Sequence, residues 1–132
     1  MAGVLDTHAA IWYVFTPSDL SRAAHQFVRR AIANRRPVYI SAISLVETIY
    51  LVERGRISLE ALRRIESALK DASSGLVVAP VDASVAEAVP KISRAVVPDM
   101  PDRIIAATAL QLGLPLVTRD RRLQQAGIQT IW

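Results

Sequence analysis

The chain has 132 residues, of which 52% are hydrophobic, no cysteine, and a net charge of +4 from 14 Arg and 2 Lys against 12 acidic residues. This length and apolar fraction predict a single domain over residues 1–132 and exclude wholesale disorder, and the lack of cysteine excludes disulfides, thiolate zinc sites, iron–sulfur clusters and a cysteine nucleophile. Because Arg binds phosphate as a planar fork, the charge is equally compatible with a phosphate-rich partner and with an Arg-rich solvated surface.

Short apolar runs alternate with helical patterns along the chain, separated by Gly, Pro and Ser residues. In the first long helix, Ala23, Phe27 and Ala31 recur at helical spacing and are expected to share one face. The alternation predicts an α/β fold, a three-layer α/β/α sandwich with a central parallel sheet of four to five strands. The elements expected, in chain order, are strand 3–5, helices 9–14 and 19–33, strand 38–40, helices 42–54 and 58–72, strand 76–79, helix 82–90, helix 102–112, strand 115–117, helix 121–126 and strand 129–131.

The N-terminal part shows no membrane or export signal. Its apolar run from Ala9 to Phe15 has 7 residues, whereas a spanning helix needs roughly 20. A signal peptide would also begin with a basic stretch, which is missing here. We therefore expect a cytoplasmic protein that does not bind a membrane.

Acidic residues stand near the carboxyl ends of the predicted strands. Asp6 directly follows the first strand, and Asp120 comes shortly after the fourth. Glu47 lies in the helix after the second strand, and Asp102 opens a helix after a Pro-bounded loop. Ligands of open parallel sheets bind at this edge, so the fold would allow the four acids to converge.

Such a group of carboxylates needs a cation. Two carboxylates 4 Å apart repel by about 4 kcal/mol at an effective dielectric near 20. Oxygen ligands without thiolates suit a hard ion such as Mg²⁺ or Mn²⁺, which can bind phosphate, activate water and stabilise a leaving oxygen. An acidic site in a basic, Arg-rich chain is the charge distribution expected of a metal-dependent nuclease.

Each acid also has a purely structural interpretation. Asp6 and Asp120 could cap the helices that follow them, and Asp102 could favour the positive end of a helix dipole. Glu47 has the spacing of a capping-box partner of Ser44. The spacing alone leaves both interpretations open for each residue.

Four motifs follow one another along the chain. They are Asp6-Thr7-His8, Ser41-x-x-Ser44-x-x-Glu47, Pro101-Asp102-Arg103-Ile104-Ile105-Ala106-Ala107-Thr108-Ala109 and Leu116-Val117-Thr118-Arg119-Asp120. Together they resemble one known family, the PIN-domain family, and most closely its VapC-type toxins from prokaryotic toxin–antitoxin pairs. The resemblance covers essentially the whole chain, and the order and spacing of the motifs carry it more than any single motif does.

The resemblance implies a PIN-like α/β/α fold and Mg²⁺- or Mn²⁺-dependent endoribonuclease activity. It carries Asp6, Glu47, Asp102 and Asp120 over as the catalytic and metal-binding acids. Supporting roles are expected for Thr118, for Thr7 and for Asp99, which competes with Asp102 for the third motif. The candidates for contact with the RNA substrate are Arg119, Arg121 and Arg103.

The resemblance further implies a homodimer silenced by a small antitoxin protein. Two alternatives within the fold stay open: a stand-alone RNA-processing nuclease, and an inactive module that binds RNA or protein. A signalling receiver domain also has an acidic Mg²⁺ site at this chain length. It would need paired acids after the first strand, where only Asp6 is found.

Overall fold

A parallel sheet of five strands forms the centre of the molecule. The computed structural model describes residues 1–132, and all strand pairs in it are parallel. In the central strand, Leu5 is in register with Ile40 on one side and Val117 on the other. The carboxyl ends of these strands therefore meet at one edge. The strands are β1 (Gly3–Leu5), β2 (Val38–Ser41), β3 (Leu76–Ala79), β4 (Leu116–Val117) and β5 (Thr130–Ile131), in the order β3-β2-β1-β4-β5.

Seven helices connect and cover the strands. Short 3₁₀ turns at Pro17–Asp19, Ala72–Ser74 and Val89–Lys91 join some of them. None of the helices combines the length and apolar character that a membrane crossing requires. The helices are α1 (Thr7–Phe15), α2 (Arg22–Ala33), α3 (Ala42–Glu53), α4 (Leu59–Lys70), α5 (Ala83–Ala88), α6 (Met100–Leu112) and α7 (Arg121–Gln124).

Two hydrophobic cores lie on opposite faces of the sheet. Leu5 belongs to the core that contains buried residues of α1, α2 and α4, and its neighbour Val4 belongs to the core with α5, α6 and α7. Successive residues of a strand point to opposite faces, so β1 contributes to both cores and needs apolar residues throughout. This arrangement confirms the predicted three-layer α/β/α sandwich around a parallel sheet.

The strand order places a crevice beside β1. From β1 the chain first adds β2 and β3 on one side, and then β4 and β5 on the other. The carboxyl edge between β1 and β4 is therefore the topological switch point, where open α/β sheets bind ligands. Asp6 follows β1 and Thr118 follows β4, so both lie at this point.

The bounds of two predicted helices differ from the structure: α1 begins at Thr7 and not at residue 9, and α2 begins at Arg22 and not at residue 19. Two further local predictions on helix faces and starts were wrong. In α2 the buried face is formed by Ala24, Val28 and Ala31, whereas Ala23 is exposed. The pattern could not separate two adjacent alanines, because either fits an apolar helical stripe. Helix α6 starts at Met100 with Asp99 as its N-cap, and not at Asp102, because Pro101 is accommodated in the first helical turn, where no backbone N–H is required.

Candidate metal centre

A cavity of about 350 Å³ opens at the carboxyl edge of the sheet. It brings together the four acids selected from the sequence, although they come from four different parts of the chain. A fifth acid, Asp99, lies with them. The lining residues are Asp6, Thr7, His8, Trp12, Glu47, Asp99, Asp102, Arg119 and Asp120.

Asp6 is fixed at the end of β1 by two hydrogen bonds. Its side chain is 8% exposed. Oδ1 accepts from the backbone N–H of Ala9 at 2.8 Å, and Oδ2 accepts from the hydroxyl of Thr118 at 2.5 Å. Burial raises the pKa of Asp6, and the bonds from Thr118 and Ala9 act in the opposite direction. Asp6 is thus both the N-cap of α1 and a buried carboxyl group aimed into the cavity.

Glu47 is held by a hydroxyl group and has no capping role. Oε1 of Glu47 lies 2.5 Å from the hydroxyl of Thr7, which also lies 3.0 Å from the hydroxyl of Ser44. The predicted Ser44–Glu47 capping box was wrong, because Ser41 is the N-cap of α3 and Ser44 is buried one turn further on. Burial raises the pKa of Glu47, and the bond from Thr7 lowers it. Thr7 therefore fixes the carboxylate that enters from α3.

Asp99 and Asp102 have different positions in the same helical turn. Asp99 caps α6, and its Oδ2 accepts from the backbone N–H of Asp102 at 3.2 Å. Asp102 has no donor of its own among the hydrogen bonds of the structure. Burial, followed by the negative charges of Asp99 and Glu47, raises the pKa of Asp102 from 3.8 to about 7. Both acids thus line the cavity, and Asp102 is the one whose charge is least compensated.

Asp120 closes the cavity from the β4 side. Its Oδ1 accepts from the backbone N–H groups of Arg122 at 2.7 Å and Leu123 at 3.2 Å, so it caps α7. Its own backbone N–H donates to the hydroxyl of Thr118 at 3.0 Å. Thr118 is fully buried and therefore connects Asp6 to Asp120 across the switch point.

The three arginines selected from the sequence occupy different places. Arg119 lines the cavity. The side chain of Arg103 is directed away from it, with its guanidinium donating to the backbone carbonyls of Val89 and Ile92 at 3.1 and 2.8 Å. Arg121 is exposed on α7 and is not a lining residue. The structure therefore brings only Arg119 to the acids.

His8 and Trp12 also line the cavity. They are spaced i, i+4 on α1, and their rings lie 5.6 Å apart. Such spacing puts both side chains on the same face of α1, the helix that Asp6 caps. Their place in the helix that directly follows Asp6 is the sequence feature that could have identified them as site residues.

The donor set suits a hard divalent cation in its chemistry. The acidic side chains that line the cavity offer only carboxylate oxygens as metal ligands, and the chain has no cysteine thiolate to compete with them for the metal. No three acidic or histidine side chains are arranged as a complete ligand group. Mg²⁺ is commonly held by one or two carboxylates and retains several waters. The carboxylates present are therefore compatible with such an ion.

Comparison with known proteins agrees with the fold. The family model for the PIN domain matches residues 3–129. Ribonuclease VapC22 of Mycobacterium tuberculosis is 35% identical over 121 residues, which cover 92% of this chain and 88% of that protein.

Solved structures share the fold at lower identity. VapBC2 from Rickettsia felis, bound to a DNA fragment from its promoter, matches with a TM-score of 0.74 at 16% identity over 98% of this chain and 97% of that chain. VapBC-5 from Mycobacterium tuberculosis, a member of the VapBC family of toxin–antitoxin systems, matches with a TM-score of 0.57 at 19% identity over 98% and 94% of the two chains. The family model covers nearly the whole sequence, and the chain belongs to the PIN-domain family.

Proposed function

We propose that this protein is a cytoplasmic endoribonuclease that depends on a divalent cation and acts as the toxin of a toxin–antitoxin pair. The convergence of Asp6, Glu47, Asp102 and Asp120 in one cavity at the switch point carries the proposal. The 35% identity with a protein named as a ribonuclease supports the assignment of RNA as the substrate.

In this proposal the four acids hold Mg²⁺ or Mn²⁺. When bound, such an ion supplies Lewis acidity toward water and phosphate, and positive charge between the carboxylates. Asp99 acts indirectly: it caps α6 and adds negative charge beside Asp102.

The chain's own residues orient the acids and leave no free hydroxyl side chain in the cavity. Thr118 and the N–H of Ala9 fix both oxygens of Asp6, and Thr7 fixes one oxygen of Glu47. Thr7 is the only hydroxyl side chain among the lining residues, and its bond to Glu47 occupies it. The nucleophile of this proposal is therefore a water molecule, and not a hydroxyl group of the protein.

The proposed partners follow from the related complexes. VapBC structures of toxin–antitoxin systems share the fold, which supports a small antitoxin as the partner of this chain. We also propose a homodimer. Growth arrest on expression, relieved by co-expressing the product of a short adjacent reading frame, is the expected result, and a stand-alone RNA-processing enzyme would give no such pairing.

The decisive experiment is cleavage of total RNA by the purified protein. The wild type should cut RNA with Mg²⁺ or Mn²⁺ and stop in excess EDTA. Asp6→Asn should abolish cutting, whereas the control Asp19→Asn, an exposed residue in a 3₁₀ turn, should not. Full activity of Asp6→Asn, or cleavage unaffected by EDTA, would refute the proposal. RNA binding without cleavage would favour the binding module instead.

A further inference from the structure

Arg119 is a cation beside five carboxyl groups, yet it pairs with none of them. The only salt bridge of the chain joins Arg64 and Glu60, far from the cavity. The guanidinium of Arg119 lies instead over the ring of Trp12, with its central carbon 4.7 Å from the ring centroid. A free arginine next to acids would be expected to form a bidentate pair. Stacking on Trp12 therefore keeps its donors free at the rim of the cavity.

Trp12 is held in place from two sides. The ring of Trp132 lies 5.7 Å from it and that of His8 lies 5.6 Å from it, both tilted. Trp132 follows β5, the strand beside β4, and Arg119 follows β4. The contact between α1 and the C-terminal residue thus fixes the platform on which Arg119 rests.

Arg103 provides a contrast within the same site region. It belongs to the same motif as Asp102, but its guanidinium donates to the backbone carbonyls of Val89 and Ile92. Arg103 thus joins α6 to the preceding turn. Three arginines, Arg103, Arg119 and Arg121, are adjacent in sequence to the acids, and only Arg119 lines the cavity.

We propose that Arg119, preorganised on Trp12, binds an RNA phosphate adjacent to the one that is cleaved. Trp12 and Trp132 are then positioning residues, which act on the substrate only through Arg119. The inference rests on the proposed ribonuclease function. A cation held by the carboxylates would offset their repulsion of the cleaved phosphate, but not their repulsion of the neighbouring phosphate. The guanidinium fork of Arg119 at the rim of the cavity offsets that second repulsion. Stacking also lowers the side-chain entropy lost when the phosphate binds.

The first test separates substrate binding from catalysis at Arg119. A cleavage site is mapped in total RNA with the wild type, and a labelled single-stranded RNA that contains it is used for steady-state kinetics in Mg²⁺ or Mn²⁺ at several KCl concentrations. Arg119→Gln should raise KM about tenfold with little change in kcat, since it removes a charge-assisted contact made in the ground state. The slope of log(kcat/KM) against log[KCl] should become shallower by about 0.7, the value for one phosphate contact on a single strand.

The matched control is Arg36→Gln, which removes the same charge from an exposed residue before β2, at the opposite edge of the sheet. It should leave KM and the salt slope near the wild-type values. If Arg119→Gln behaves like Arg36→Gln, or lowers kcat at unchanged KM, the phosphate contact is refuted. A wild type that cuts no RNA would instead refute the proposed function, so the two failures are distinguishable.

A second test examines the platform. Trp12→Leu keeps the charge of Arg119 but removes the ring, and should raise KM about threefold, in line with an exposed cation–π contact. Trp12→Phe keeps an aromatic ring and should therefore have a KM close to that of the wild type. Since Trp12 also packs against the core, the double variant Trp12→Leu/Arg119→Gln is the main control. It should have the KM of Arg119→Gln alone, and additive effects on KM would refute the positioning role.

Discussion

Replacing Asp102 by Asn should stabilise the metal-free protein while abolishing its activity. Asp102 is half-buried, no hydrogen-bond donor faces its carboxylate, and Asp99 and Glu47 lie close to it. Its pKa is therefore raised from 3.8 to about 7. Asn has nearly the same shape and no charge, so it removes the repulsion without creating a cavity.

The direction of the stability change follows from the number of protons that the folded and the unfolded protein bind. A carboxyl group with a raised native pKa binds more protons in the folded than in the unfolded state between about pH 4 and pH 7, so it makes the protein less stable as pH rises through that window. The full shift would correspond to about 4 kcal/mol. Solvent screens a half-buried group, and we expect about 1–2 kcal/mol at pH 8. For a chain of this size that is a rise in Tm of about 3–8 °C.

The assay is thermal denaturation in EDTA at several pH values. The gain of Asp102→Asn should be largest at pH 8 and fall to about a third of that at pH 5, since most of the window between the two pKa values then lies above the working pH. Asp82→Asn is the control for the direction of the change in Tm. Bonds from Ser84 and Val85 lower the pKa of Asp82, so its replacement should leave Tm unchanged or lower it at pH 8. A lower Tm for Asp102→Asn at pH 8, or a gain independent of pH, would refute the reasoning.

Three further outcomes are expected. Mg²⁺ should raise the Tm of the wild type in proportion to ln[Mg²⁺] above its Kd, and should do so far less for Asp102→Asn, as calorimetry can show. Thr118→Val should cost about 1–3 kcal/mol in urea denaturation, because one oxygen of the buried Asp6 loses its donor, and Thr118→Ser should recover most of it. Gly3→Ala should cost about 1–3 kcal/mol in the same assay, since a Cβ there would lie 2.5 Å from a ring carbon of Phe27. An unchanged urea midpoint for Thr118→Val or for Gly3→Ala would contradict the prediction made for that variant.

The alternation of strands and helices could be predicted because it depends on local signals. The apolar run of each strand is short, and residues such as Gly113 end a helix in the left-handed conformation that favours glycine, here with φ of 66°. All five strands and the parallel arrangement were obtained in this way. The order of the strands was not, because it depends on which apolar faces pack together over long distances in sequence.

The candidate site was predictable to the same extent. The acids could be selected because ligands bind at the carboxyl edge of a parallel sheet, and the resemblance gave Thr118 and Thr7 supporting roles. The acid that each hydroxyl contacts could not be predicted. Thr118 and Asp6 are separated by 112 positions, and no local pattern shows that one hydroxyl joins them. The contact between Arg119 and Trp12 is of the same kind. The motif that follows Asp102 favoured it over Asp99 as the site acid, but both residues fit a helix start, and the structure gives the cap to Asp99.

The arrangement of the acids explains why the pKa of Asp102 is raised to about 7. Helices follow the carboxyl ends of the strands, so their N-termini and free N–H groups face the cavity and stabilise negative charge. Asp6, Asp99 and Asp120 each accept such an N–H as a helix cap, and Glu47 accepts from a hydroxyl. Asp102 lies in the first turn of α6, but its own N–H is already donated to Asp99. The fold thus gives four of the carboxylates a hydrogen-bond donor each and leaves the fifth, Asp102, without one, so the charge of Asp102 is the one that depends most on a bound cation or a proton for its neutralisation.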